Sequence, residues 1–395
     1  MVPSASSAPG GGARALTVVW DERFRAYDLG IDHPFSERSR ALAAELFAAS
    51  TEGLPPGTVE WIRRVPPASQ ASLELFHRPE YLAYIEGASG RETPIILDTG
   101  DTPSFPGCYE EAARLVCGAT RGLESVLEHS VPAFHPAGGL HHAHPDRASG
   151  FCIFNDVAIA VAEAVRAGRR VAYLDIDAHH GDGVMYGFYN SGRVLDIDFH
   201  QDGRTLFPGT GFPREAGSGD GAGLKVNVPL PPLTGDEALV PLFRRIVPPM
   251  LRAFRPEVIV LQHGVDGHVG DALAHLQYTP AAYVQVDAIV LELARELCQG
   301  RVLVTGGGGY RASAVSRVLA RAGLAFAGRP IPQGHSALPE AWRALYREST
   351  GELPPKTWED PETPTGSRWR AENETKLVGE LETAVGQKFP TERAR

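Results

Sequence analysis

The chain has 395 residues, 43% apolar and 22% charged, with a net charge of −10. That length allows one large α/β domain or two smaller ones, and the composition is ordinary for a soluble globular protein. The acidic balance argues against direct nucleic-acid binding, which needs a basic field.

Residues 1–15 are rich in Gly, Ser and Pro and lack an apolar h-region, so they read as a flexible head without a signal peptide. Leu16 to Trp20 reads as a short strand, Arg38 to Ala48 as a helix, Leu73 to Ile85 as helical in part, and Tyr109 to Leu127 as a longer amphipathic helix. Beyond these the rhythm becomes regular. Apolar strands at Val171–Ile176, Val194–Ile197, Val258–Leu261 and Val302–Val304 alternate with helices at Val157–Ala167, Glu237–Phe254, Ala281–Leu297 and Ala312–Ala325. Asn155 or Asp156 is a plausible N-cap for the first of these helices. The expected fold class is α/β: one domain over residues 16–330, its central, mostly parallel sheet covered by helices on both faces. Residues 331–395 read as a polar C-terminal extension, partly helical near its end. No apolar run reaches transmembrane length, and Cys108, Cys117, Cys152 and Cys298 form no CxxC pair; a cytoplasmic protein with reduced thiols and no membrane partner is expected.

Each of the four central strands ends in something polar or glycine-rich: DAHHGD, DFHQDG, QHGVDGH and TGGGGY. In open parallel sheets ligand crevices lie outside the carboxyl ends of the strands, so these motifs should meet at one edge. Asp175, Asp177 and His179 alternate, and in a strand they would point the same way. Asp177 and His179 form the best ligand pair, with Asp266 as the third; a catalytic Zn²⁺ needs three protein ligands and an open position. The competing reading is a metal-free cluster of buried, mutually hydrogen-bonded polar groups. Seven of the 14 histidines fall between His135 and His200, which favours the metal. His33, His77, His129 and His335 read as surface or loop residues. The adjacent His141 and His142 lie in a Gly-rich loop. Paired separately with Asp175 and Asp182, they would acquire different pKa values, as acid–base chemistry requires. In GGGGY the glycines, Gly308 among them, allow close approach to a small ligand, and Tyr310 offers a hydroxyl. Phe151 and Phe207 could wall a narrow channel or simply be core aromatics.

The blocks GGLHHAHPDRASGFCIFND, YLDIDAHHGDGV, LFPGTG, HGVDGHVGD and GGGGY occur in the order seen in the histone deacetylase family. The chain resembles that family over roughly residues 16 to 330, and looks closest to its bacterial acetoin-utilisation and acetylpolyamine-deacetylase branch. The resemblance implies an arginase/deacetylase-like fold, a single catalytic Zn²⁺ (Fe²⁺ being the alternative) and hydrolysis of N-acetylated amines. Asp177, His179 and Asp266 would be the metal ligands. His141, paired with Asp175, would act electrostatically; His142, paired with Asp182, would be general base and then general acid; Tyr310 would donate to the oxyanion. Phe151, Phe207, Gly150 and Gly308 would contact the acyl-lysine stem, and Asp101 would be a rim carboxylate. A structural K⁺ is implied at Asp175, Asp177, His179, Asp198 and Phe199. Departures from the family are few. HPFSER is one residue shorter than the usual HPxxPxR, leaving Arg38 without a role. His263 stands where Cys is common. Leu273 replaces the acidic gatekeeper of polyamine-selective members, which favours acetyl-lysine in proteins over a small acetylated amine. A two-metal ureohydrolase and a non-catalytic acyl-lysine reader are the remaining rivals. The oligomeric state is left open.

Overall fold

The computed structural model describes residues 14–30, 32–359, 364 and 369–390; most of the expected N-terminal head lies outside them. The described strands are β1 (Leu16–Val19), β2 (Val59–Ile62), β3 (Ala133–His135), β4 (Val171–Asp175), β5 (Val194–Gln201), β6 (Lys225–Leu230), β7 (Val258–Gln262) and β8 (Val302–Thr305). The described helices are α1 (Glu37–Ser50), α2 (Gln70–Leu73), α3 (Pro79–Ser89), α4 (Cys108–His129), α5 (Asp156–Arg166), α6 (Asp182–Gly187), α7 (Asp236–Phe254), α8 (Pro280–Cys298), α9 (Ala312–Phe326), α10 (Glu340–Thr350) and α11 (Ala371–Val385). The strands form one sheet in the order β2-β1-β3-β8-β7-β4-β5-β6, and every pairing is parallel. The expected sheet was mostly parallel; it is entirely so.

Burial on both faces explains the near-continuous apolar runs of β4, β7 and β8. Val171, Tyr173, Val258, Val260 and Leu303 pack under α4 and α5. Ala172, Leu174, Ile259, Leu261, Val302 and Val304 face α1, α7, α8 and α9. Two sheet edges escaped the sequence reading. β2 is half-exposed and so lacks a buried pattern, while β6 contains Pro229, which an edge strand tolerates because that side makes no ladder. β3 has only three residues before Pro136 and carries too little pattern to register. β5 runs to Gln201, past the expected end at Ile197, because its polar residues are buried and bonded rather than solvated.

Residues beyond 330, read as a polar extension, contribute two helices and a set of buried side chains. Trp342, Tyr346, Trp358, Leu377, Val378, Leu381 and Phe389 join the same apolar core as α1 and α9. Trp342 Nε1 donates to Leu42 O at 2.8 Å, fastening α10 to α1. Replacing the fully buried Leu381 with Ala should therefore lower unfolding free energy by about 2–5 kcal/mol. Urea unfolding checks this, and an unchanged midpoint would mean that α11 is not part of the cooperative unit.

Candidate metal centre

Four strands adjacent in the sheet, β3, β8, β7 and β4, send their carboxyl-terminal loops to one place. The loop after β3 carries His141 and His142, that after β8 Gly308 and Tyr310, that after β7 Asp266, and that after β4 Asp177 and His179. The register Asp175↔Gln262 and Gln262↔Thr305 aligns the strand ends, so residues over a hundred positions apart converge.

The ligand atoms of Asp177, His179 and Asp266 all lie within 4.8 Å of one another, and all three residues are buried. His179 Nδ1 is 2.8 Å from Asp266 Oδ2 and 3.2 Å from Asp177 Oδ1. Two carboxylates facing each other in a dry site repel, and the site recruits positive charge to hold them. Burial opposes protonation of His179, but Asp266 and Asp177 overcome it and raise the imidazole to about 10. Burial and then Asp177 push Asp266 up to about 7. A divalent cation would supply that positive charge instead, and a two-carboxylate, one-imidazole set suits a catalytic Zn²⁺ or Fe²⁺. The residues fit such an ion. The space around them is also shaped for it: a Cβ on Gly308 would collide with Asp266 Oδ2 and Asp177. Instead Gly308 N donates to Asp177 Oδ2 at 2.7 Å, and Gln262 Nε2 donates to the same oxygen at 3.1 Å. Ala178 N donates to Asp266 Oδ1 at 2.6 Å.

Beside this triad stand the two histidines. His141 Nδ1 is 2.8 Å from Asp175 Oδ2, and His142 Nδ1 is 2.7 Å from Asp182 Oδ1. Their Nε2 atoms are 3.1 Å apart, so one must donate to the other. The electrostatics decide which. Burial disfavours charge on both, but Asp175 and Asp177 outweigh it at His141 and raise it to about 10. At His142, burial and the neighbouring His141 prevail over Asp182 and lower it to about 4. The opposite shifts make His141 the donor, and the His142 Nε2 that accepts from it carries no proton of its own. Burial would raise Asp182, but hydrogen bonds from His142 and His144 hold its carboxyl well below the usual range.

Phe207, 41% exposed, packs edge-on against His142 with ring centroids 5.1 Å apart. Phe151 meets Tyr310 edge-on at 5.9 Å, and Tyr310 meets His179 at 6.3 Å. Gly150 sits at φ +52°, and a Cβ there would come within 2.5 Å of His142 Cδ2, so only glycine fits. A small cavity of about 10 Å³, bounded by His141, His142, Phe151, Gly307, Gly308 and Tyr310, has room for about one water. Asp101 lies at the rim: its carbonyl is 3.0 Å from His33 Nε2, and His33 packs on Phe151 at 4.5 Å. Burial and Asp98 raise the Asp101 carboxyl to about 6. Leu273 N donates to Asp271 Oδ1 at 2.9 Å, while Asp271 Oδ2 accepts from Tyr310 N at 2.9 Å, which ties the Leu273 loop to the tyrosine. Asp198 spends both carboxylate oxygens on Gly181 N and His200 Nδ1, each at 2.7 Å. Phe199, next to it in β5, is fully buried and packs on Phe243 of α7 with ring centroids 5.2 Å apart.

Several supporting contacts were not visible in the sequence, although Asn155 was expected as a helix cap. Asn155 caps α5 and also donates from Nδ2 to His141 O and Ala143 O, both at 2.9 Å. Asp156 accepts from Leu140 N at 2.7 Å and from Gly139 N. Tyr173 OH donates to Asp175 Oδ2. Arg40, rather than Arg38, lies buried behind the site and donates to Gly307 O. His77 lies in the loop between α2 and α3, as expected, but not at the surface. It is buried, accepts from Asn155 N at 2.9 Å and bonds His144 O at 3.0 Å. His135, His180, His200 and His263 bond elsewhere in the core.

A family model described as "Histone deacetylase domain" matches residues 33–325. "Acetoin utilization protein AcuC" of Bacillus subtilis (strain 168) is 35% identical over 359 residues, which is 88% of this chain and 90% of that protein. The protein of the same name from Staphylococcus xylosus is 33% identical over 353 residues, 87% and 90% of the two chains. The crystal structure of the HDA15 HD domain superposes with a TM-score of 0.69 at 28% identity, covering 79% of this chain and 90% of that one. The chain belongs to the histone deacetylase family, and it is a deacetylase.

Proposed function

We propose that the substrate is N-ε-acetyl-lysine in proteins, hydrolysed to free lysine and acetate. The observation that carries this reading is the pair of unequal imidazoles, His141 and His142, 3.1 Å apart beside the Asp177–His179–Asp266 triad. A Zn²⁺ or Fe²⁺ held by that triad would polarise the acetyl carbonyl and acidify water. His142 takes the proton of the attacking water at Nε2, exchanging the contact with His141 for one with the water, since Asp182 engages Nδ1 and fixes the tautomer. The same nitrogen then returns the proton to the departing amine. His141, held charged by Asp175, adds positive potential where the acyl oxygen becomes negative. Tyr310 donates its hydroxyl to that oxygen. Burial and then the charges of Asp266 and Asp177 keep this phenol protonated, as a donor must be. Phe151 and Phe207 flank the lysine stem, Gly150 and Gly308 let it approach, and Asp101 takes the peptide at the rim.

The expected K⁺ at Asp175, Asp177, His179, Asp198 and Phe199 belongs to the same reading, with main-chain oxygens as donors because the Asp198 carboxylate is already bonded. A small acetylated polyamine is the second reading. The acidic Asp98–Asp101 pair at the rim favours a cationic chain, whereas Leu273 opposes it. Comparing an acetyl-lysine peptide with acetylputrescine separates the two; faster kcat/KM on the polyamine would overturn the first.

His142→Ala should reduce turnover by ~10²–10⁴-fold while the protein keeps its bound metal, measured by acetate release and metal analysis. Equal activity would remove His142 from the chemistry. Tyr310→Phe should lower kcat by roughly 10²–10³-fold with little change in KM. A chelator should abolish acetate release from either substrate, and added Zn²⁺ or Fe²⁺ should restore it. Activity persisting after metal removal would contradict the assignment of the triad.

A further inference from the structure

Phe151 holds a backbone conformation that its own side chain disfavours. Cys152 N donates to Ser149 O at 2.9 Å and Ser149 N to Cys152 O at 3.1 Å, which closes a four-residue turn. Its two central residues, Gly150 and Phe151, have φ of +52° and +70°. Positive φ at both central positions defines the mirror-image turn that ordinarily takes Gly, Asn or Asp. A phenylalanine there is strained, and it persists only where its surroundings over-determine it. Two buried hydroxyl groups supply the constraint. Tyr27 OH donates to Phe151 O at 2.7 Å, and Phe151 N donates to Thr102 Oγ1 at 2.9 Å.

Thr102 belongs to the loop that carries Asp101, and Asp98 winds that loop. Asp98 Oδ1 accepts from the N–H groups of Gly100, Asp101 and Thr102 at 2.9, 3.0 and 3.1 Å, and its Oδ2 accepts from the Thr102 hydroxyl. Burial opposes the charge on Asp98, but that hydroxyl and the loop amides outweigh it and lower the carboxyl, so the group stays an acceptor. The Thr102 proton is therefore spent on Asp98, which leaves an oxygen lone pair for Phe151 N. One fully buried hydroxyl thus joins the rim loop to the turn. The Phe151 ring, set by that turn, stands edge-on to Tyr310 at 5.9 Å and to His33 at 4.5 Å.

We propose that Thr102 is a positioning residue for the substrate channel: its hydroxyl pins the strained Phe151 backbone to the Asp98-wound rim loop and so fixes the wall against which the acylated stem lies. The kinetic consequence rests on the reading of Phe151 as that wall; the clamp itself does not.

The test compares full-length, metal-loaded wild type, Thr102→Val and Thr102→Ser. Valine keeps the shape and removes the acceptor, whereas serine keeps the hydroxyl. For whichever of an acetyl-lysine peptide and acetylputrescine is turned over faster, the valine variant should raise KM by roughly tenfold, the equivalent of one lost buried hydrogen bond, with a smaller change in kcat. The serine variant should stay within about twofold of wild type. A fall in kcat alone in the valine variant, as a smaller folded fraction would give, overturns the proposal, and so does a serine variant as impaired as the valine one. Hydrogen exchange of the Phe151 amide reads the clamp without any substrate, with the amides of β4 reporting global opening. Exchange should speed up at Phe151 in the valine variant alone while β4 is unchanged. Unaltered exchange at Phe151 overturns the clamp; faster exchange with an unaltered KM upholds the clamp and overturns the reading of Phe151 as the channel wall.

Discussion

Repulsion between two buried carboxylates, Asp177 at the end of β4 and Asp266 beyond β7, is the constraint from which the rest of the site follows. Two such charges cannot sit together in a dry interior without a compensating cation. The sheet forces them together all the same, because β4 and β7 are hydrogen-bonded neighbours in parallel register. Main-chain N–H groups of Gly308, Ala178 and His179 and the amide of Gln262 then fix the carboxylate oxygens. The protein has committed the conformational and electrostatic cost of the site before any ion or substrate arrives, and that is what preorganisation means in energetic terms.

The histidine pair is tuned by the same charges. His141 and His142 are adjacent in sequence and equally buried, yet one is driven up and the other down. Proximity to the carboxylates makes the difference: His141 faces Asp175 and Asp177, while His142 faces Asp182, whose charge is already shared with His144. A charged imidazole next to a neutral one is stable because the first suppresses ionisation of the second. The hydrogen-bond pattern thus sets the two imidazoles apart, as the proposed division between electrostatic support and proton transfer requires.

Much of this was legible in the chain. The alternation of Asp175, Asp177 and His179 at a strand end, the HH pair in a glycine loop and the polar endings of four apolar strands carry local signatures, and the topology rule for parallel sheets brought them together. What stayed hidden depends on contacts distant in sequence. Asn155 was visible as a helix cap, but its grip on the His141 carbonyl depends on how the loop after β3 folds back. His77 looked like any histidine between Phe76 and Arg78, since nothing nearby announces the Asn155 amide that it meets. Arg40 is one turn along α1, a helix buried on most of its sides, and only its packing directs Arg40 to Gly307. The buried aromatic residues after 330 were masked by the polar, proline-rich stretches between them.

The fit of α11 beside β6 bears on what this edge of the sheet offers to other chains. β6 is a terminal strand of the sheet, and terminal strands offer unpaired amides and carbonyls to any passing chain. Pro229 interrupts that template from within, while the end of α11 crowds against Gly223 at the approach to β6. The last described helix therefore narrows the access of another strand to this edge, at the end of β6 away from the metal-ligand cluster.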